Sequence, residues 1–308
     1  MCMEINRTAE TMENLSNHFA QLVANGLANP AEWRKSWRSI GASMPHNVST
    51  KHRYKGGNSM LLSFESCERG WGDDWSTFNG WKSLGAMVRK GEKSIAYVLI
   101  PKPVTTKAEA EKASVENRDA RKDLVMYSAV AVFNAAQVDG WEAPDVPKVE
   151  ELDDAHHVDK VTEVFAACGA TLHHSGDRAF FRPSTDSVTL PAPGMFTSGA
   201  AYAATAFHEL THWTGATDRL ARPQTGERGG PEYALEELIA ELGAAGLSGM
   251  FGMEPEPSID HAQYLASWCS AIDKDPKAAW RLLGAARSGA TAAIDFIHAS
   301  IESAQIAA

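Results

Sequence analysis

Cysteine is scarce and scattered in this sequence: Cys2, Cys67, Cys168 and Cys269 stand far apart and form no CxxC pair. That spacing excludes a cysteine zinc knot and gives no disulfide framework, leaving free thiols. Long apolar runs are missing as well. No stretch approaches the roughly 20 residues needed to span a bilayer, and the polar opening MCMEINRTAE lacks the basic-then-apolar order of a secretory signal. A cytoplasmic protein with no membrane partner is expected. No internal repeat is found. Positive net charge is lacking too, at −10 overall, which argues against a uniformly basic nucleic-acid binder. What remains is an ordinary globular composition, 44% hydrophobic and 22% charged, in a chain whose 308 residues point to two domains.

The acidity is unevenly spread. Residues 1–150 hold 19 Lys+Arg against 18 Asp+Glu, whereas residues 151–308 hold 10 against 21. Within the first half, residues 33–102 carry 12 basic and 5 acidic side chains, a basic surface inside an acidic total.

Residues 8–27 place Met12, Leu15, Phe19, Leu22 and Val23 at helical spacing. WSTFNGWKSLGAMVRKGEK reads as a helix capped by Ser76 or Thr77 and ending near Gly91. SIAYVLIP and LVMYSAVAVFNAAQV read as paired strands, and the charged insert at about 103–123 between them as a mobile excursion. The proline-bearing EAPDVPKVEEL sets an expected boundary near 145, giving domains 1–145 and 146–308. Beyond it come a helix at 153–168, two short strands around TLHHSGDRAFFRP and DSVTLP, a helix carrying TAFHELTHWTG, and another at about 231–249.

TAFHELTHWTG carries the chemistry. Positions four apart on a helix lie one above the other, so His208 and His212 can aim both imidazoles at one point, with Glu209 beside them. A catalytic zinc takes three protein ligands and leaves a position for water, whose proton an adjacent glutamate can accept. The third ligand is expected from PEYALEELIAELGAAG: Glu237 on the metal and, one turn on, Glu241 accepting the second N–H of a ligand histidine. Glu236, about 100° away, is the rival ligand. Zn2+ is the expected ion, with Mn2+ or another divalent cation also compatible. Tyr202 and Tyr233 are read as core or edge residues, and the doublets His156–His157 and His173–His174 as poor chelators because sequence neighbours point apart.

The first half interleaves Trp33, Trp37, Tyr54, Trp71, Trp75, Phe78 and Trp81 with cations, the composition of a groove that stacks and tracks single-stranded DNA. Candidate contacts are Lys51, Arg53, Tyr54, Lys55, Asn58, Trp75, Lys82, Arg89, Lys90 and Lys93. The glycines of YKGGN could also bare backbone N–H groups to a phosphate.

Two sets of residues carry a family resemblance. WRKSW, Pro45-x-Asn47, YKGGN, WSTFNGW, LGAMVRKGEKS and VFNAAQVDG resemble the N-terminal domain of ArdC-type antirestriction proteins, shared with some plasmid primases. DSVTLP, YAATAFHELTHWTGATDRLAR and YALEELIAELGAA resemble their zincin-type metallopeptidase domain, in the same order along most of the chain. The second glycine of YKGGN departs from the pattern, where a bulkier apolar residue is common, as does the 103–123 insert. The resemblance implies an α+β fold: an N-terminal α+β domain binding single-stranded DNA, and a mostly helical gluzincin-like domain with a small sheet. It implies His208, His212 and Glu237 on zinc, Glu209 as base, an unidentified protein substrate, and protection of incoming plasmid or phage DNA from host restriction. The alternative is a non-proteolytic single-strand binder whose metal site is structural or vestigial. A nicking or DNA-modifying enzyme finds no HUH pair, catalytic tyrosine motif or carboxylate cluster to support it.

Overall fold

The structure, a computed structural model, describes residues 2–28, 44–103, 125–142, 154–224, 230–253 and 276–307. Trp33, Trp37, nearly all of the 103–123 insert and most of EAPDVPKVEEL lie outside the described residues.

The first half builds helix α1 (Cys2–Ala28), strands β1 (His46–Asn47) and β2 (His52–Arg53), helix α2 (Gly56–Arg69), β3 (Asp74–Ser76), the short helix α3 (Phe78–Ser83), β4 (Met87–Val88), β5 (Ala96–Pro103), β6 (Val125–Asn134) and β7 (Val138–Asp139). Five of these strands form one sheet in the order β2-β1-β3-β6-β5, and β4 pairs with β7. The second half adds α4 (Asp154–Cys168), β8 (Thr171–His174), β9 (Phe180–Arg182), β10 (Ser187–Leu190), α5 (Gly199–Thr214), α6 (Pro231–Met250) and α7 (Pro276–Ala307), with a three-stranded sheet ordered β8-β10-β9.

The helical spacing of Met12, Leu15, Phe19, Leu22 and Val23 has its physical outcome in one core, where they meet Met60 and Phe64 of α2, Leu238 and Leu242 of α6, and Trp280 and Leu283 of α7. The last helix therefore packs back on α1 and α2 as well as on α6. The α2/α7 crossing explains the unusual second glycine of YKGGN. A Cβ on Gly57 would lie 2.5 Å from the Trp280 ring, and one on Gly284 would lie 2.9 Å from the Gly57 nitrogen, so the two backbones meet where side chains cannot fit. The glycine makes room for α7 at a buried position rather than baring an amide to a phosphate.

Two local expectations are corrected. The helix from WSTFNGWKSLGAMVRKGEK, capped by the Thr77 hydroxyl, ends at Ser83 rather than near Gly91. Gly85 turns through φ 79°, and Ala86, Met87 and Val88 then alternate buried, exposed, buried, the period of a strand. The stretch TLHHSGDRAFFRP, expected as one strand, is broken at Gly176 (φ 65°) into β8 and β9, so the sheet has three strands and β9 forms one of its edges.

Candidate metal centre

Helix α5 is built from small and apolar residues, capped at its start by Ser198 Oγ accepting from Ala201 N and closed by Gly215. Tyr202, Ala203, Ala206, Phe207 and Leu210 bury it against α4, the sheet and α6. At the α5/α6 crossing a Cβ on Gly243 would stand 2.6 Å from the Thr211 hydroxyl, so this glycine lets α6 approach close enough for its glutamates to reach the α5 histidines.

His208 Nε2 lies 3.1 Å from His212 Nε2 and 3.5 Å from Glu237 Oε2, and His212 Nε2 is 3.8 Å from Glu237 Oε1. One donor atom from each of the three residues falls within 4.8 Å of the others. The far nitrogens are also engaged: His208 Nδ1 sits 3.1 Å from Glu241 Oε1, and His212 Nδ1 bonds Glu236 Oε1 at 3.1 Å. With a carboxylate behind each ring the proton belongs on Nδ1, so both Nε2 lone pairs face each other and the Glu237 carboxylate. Three converging electron-pair donors in a half-closed site repel one another unless a cation lies between them, and this donor set fits a divalent metal. A proton on His208 Nε2 can take the place of that cation: burial lowers the His208 pKa, but the bonds to Glu237 and Glu241 outweigh it and raise it well above the ordinary histidine range, and a metal would displace this proton. Burial likewise opposes ionisation of Glu237, yet His208, His212 and the Tyr233 hydroxyl hold its carboxyl down to about 2.

Glu209 is nearly buried, and its Oε2 accepts the Phe181 backbone N–H of edge strand β9 at 2.7 Å. Beside it opens a cavity of about 380 Å³ lined by Phe180, Phe181, Glu232, Tyr233, the two histidines and Glu237.

The sequence reading of the centre missed Arg222. Its guanidinium grips both oxygens of Glu236, at 2.9 and 2.8 Å, and donates to Thr214 Oγ1 and the Thr211 carbonyl; Gln224 donates to the His212 carbonyl. Burial raises the Glu236 carboxyl, but the Arg222 bond, then His212, bring it below its usual range. Glu236 thus stands behind His212, facing Nδ1, instead of on the Nε2 side where the donors converge. Nothing in the spacing of DRLARPQ points to that contact; only the return of the loop over α5 creates it. Tyr202 is fully buried, with its hydroxyl bonded to His174 Nε2 at 3.0 Å.

The DNA candidates of the first half are dispersed. Trp75 is fully buried beneath β5 and β6, which corrects its reading as a stacking platform, because no base can reach the ring. Trp81 is also core, its Nε1 donating to the Phe133 carbonyl. Asn58 spends both ends of its amide on the Leu99 backbone and so ties α2 to β5. Tyr54 is half-buried and accepts from Asn47; burial pushes its phenol up. Arg89 bonds the Ala136 and Val138 carbonyls and pairs with Glu92, holding β4 to the β6–β7 connection. Lys51, Arg53, Lys55, Lys82, Lys90 and Lys93 are exposed.

A helix presenting HELTH toward a carboxylate-bearing second helix, beside the edge strand of a small sheet and following an α+β domain in the chain, defines a two-domain protein with a zincin-type centre. Residues 159–287 match the zincin-like metallopeptidase family, and residues 12–133 match the N-terminal domain of the anti-restriction factor ArdC. The Mn(II)-bound crystal structure of the antirestriction protein ArdC from plasmid R388 is 31% identical, with a TM-score of 0.67 over 93% of this chain and 97% of that one. Its metal-free crystal structure gives 29% and 0.66 over 92% and 98%. An uncharacterized protein of Sinorhizobium fredii, y4eC, is 31% identical over 98% of this chain and 97% of its own length. The DNA primase TraC of Escherichia coli is 36% identical over 90% of this chain, which spans only 20% of that longer protein. The chain belongs to the ArdC antirestriction protein family. Among the described residues no helix is long and apolar enough to cross a membrane.

Proposed function

We propose that this protein binds single-stranded DNA through its N-terminal domain, about residues 1–145, and carries a metallopeptidase centre in residues 146–308 that protects incoming DNA of a mobile element from host restriction. The observation that carries the reading is the meeting of His208 Nε2, His212 Nε2 and Glu237 in a cavity that Glu209 also lines. His208, His212 and Glu237 hold the divalent ion, which supplies Lewis acidity when bound. Zn2+ suits the two-nitrogen, one-carboxylate set, and Mn2+, bound in the R388 relative, is the other candidate. Glu241 and Glu236 keep both Nε2 lone pairs directed inward. Glu209 takes the proton of the attacking water and returns it to the leaving amine. Phe180, Phe181 and Tyr233 wall the cavity and orient a polypeptide segment over that carboxylate.

The acidic second half repels nucleic acid and leaves the basic stretch 33–102 of the first half to engage it, an arrangement suited to a protein with a DNA and a protein partner. The alternative, a DNA-binding protein without proteolysis, draws on the Phe181 N–H bond that occupies one Glu209 oxygen. Glu209→Gln separates the two. Retained metal and DNA binding with loss of peptide hydrolysis and of protection is the expected result, whereas unchanged protection transfers the function to binding alone.

A further inference from the structure

A second cavity, of about 780 Å³, opens in the N-terminal domain beside β1, β2 and β3. Its size is within the ~300–1,000 Å³ range of pockets that hold small molecules. Trp71 supplies an aromatic wall, Lys51 and Arg53 stand at it, and His46, Asp73 and Asp74 complete the polar lining.

The backbone is shaped to present the two cations. Asn47 Oδ1 accepts from Ser49 N and Thr50 N, each at 3.1 Å, and so closes a tight turn after β1. That turn places Lys51 at φ 59°, a left-handed conformation that costs free energy for a residue with a Cβ. Pairing then sets Arg53 opposite His46, and His46 beside Asp74, on one face of the sheet.

The charges inside this cavity are unequal in availability. Asp74 is satisfied by His46 Nε2 at 3.1 Å and Trp141 Nε1 at 2.8 Å. Asp73 accepts from Met44 N at 3.1 Å and faces the buried charge of Arg287. Both carboxylates are therefore compensated within the protein. Among the described residues Lys51 has no carboxylate partner and Arg53 meets only Asp295, at 3.7 Å with both side chains more than half exposed, a pair of little strength. An aromatic wall, with the Arg69 guanidinium 5.6 Å from its ring centroid, beside one unpaired and one weakly paired cation matches a nucleotide: a base against the indole and its phosphates against Lys51 and Arg53.

We infer that this cavity receives a single nucleotide of a DNA strand, with Trp71 as the stacking platform and Lys51 and Arg53 as the phosphate contacts. The inference rests on the single-strand reading above and adds the place where the strand is held. Lys82, Lys90 and Lys93, which do not line the cavity, contribute only to the surrounding field.

The test is fluorescence anisotropy of a short labelled oligodeoxynucleotide with the full chain, as a function of salt. Lys51→Ala/Arg53→Ala is expected to weaken binding at least tenfold and to flatten the log–log salt dependence by about 0.7 for each cation lost. Trp71→Leu is expected to weaken it on the order of tenfold, with Trp71→Phe restoring most of the loss, while metal content stays at the wild-type value in every variant and the thermal midpoint does so in Lys51→Ala/Arg53→Ala. Wild-type binding that survives in these variants but is lost in Lys82→Ala/Lys90→Ala/Lys93→Ala overturns the cavity assignment and leaves the single-strand reading standing. Absence of wild-type binding overturns both. Free thymidine monophosphate binding as tightly as the oligonucleotide overturns the strand assignment in favour of a mononucleotide site.

Discussion

The metal centre and the basic stretch of the first half rest on different kinds of sequence signal, and the fold treats them differently. In α5 and α6 the signal is spacing: a helical repeat fixes where each side chain points, and the fold sets His208, His212 and Glu237 within 4.8 Å of one another. In residues 33–102 the signal is composition, which says that aromatics and cations are present but not which way they face. There the structure buries Trp75 and Trp81, commits Asn58 and Arg89 to backbone bonds, and leaves scattered lysines at the surface. Periodicity carries geometry; composition carries only an inventory.

The largest expected effect tests the burial side of that contrast. Trp75→Ala should cost ~3–5 kcal/mol of stability in denaturant unfolding, as truncation of a core aromatic does. Phe78→Ala, a ring 48% exposed, should stay within ~0.5 kcal/mol. A small cost at Trp75 would return it to the surface and restore composition as a guide to contacts.

The two adjacent glutamates of α6 sharpen the geometric side. Glu236→Gln and Arg222→Ala should each lower divalent-metal affinity by ~10–100-fold in chelator competition, because they loosen His212 without removing a ligand. Glu237→Ala should lower it further still. A greater loss at Glu236 than at Glu237 would exchange their roles.

The smallest effect concerns His18, which joins α1 to α2 through Glu68 at 2.8 Å and Glu65 at 3.2 Å and stacks on Phe64. Burial lowers its pKa, but the two glutamates outweigh that and raise it above 6.5. A raised folded-state value means the ion pair contributes fully below about pH 6.5 and fades as pH climbs through the folded pKa. The advantage of wild type over His18→Gln should be at most ~1 kcal/mol, present at pH 6 and reduced at high pH; an advantage that grows with pH would contradict the assignment.

Helices α1, α4, α5 and α6 were legible because each has a strong period or a clear start or stop. Met12 through Val23 gave α1 its buried face, and Pro231 and the apolar residues around the glutamates gave α6 its start and its packing. Short elements were not: Gly85 and Gly176 each turn the chain through a positive φ that the surrounding pattern does not announce, and β4 and β9 follow them. Contacts between distant segments were equally silent. Arg222 on Glu236, Gly57 under Trp280 and Arg287 reaching Ser59 depend on the final packing of α6 and α7. The departure at Gly57 was visible as an oddity of the motif, but its cause, the close approach of α7, required the fold.

The central claim is that two α5 imidazoles and one α6 carboxylate hold a single divalent ion. X-ray absorption at the zinc edge of the stoichiometrically loaded full chain tests it most directly. The account predicts one ion per chain, surrounded by two imidazole nitrogens and oxygens, with one imidazole lost in His212→Ala. Sulfur among the ligands, or an imidazole count that His212→Ala leaves unchanged, would contradict it.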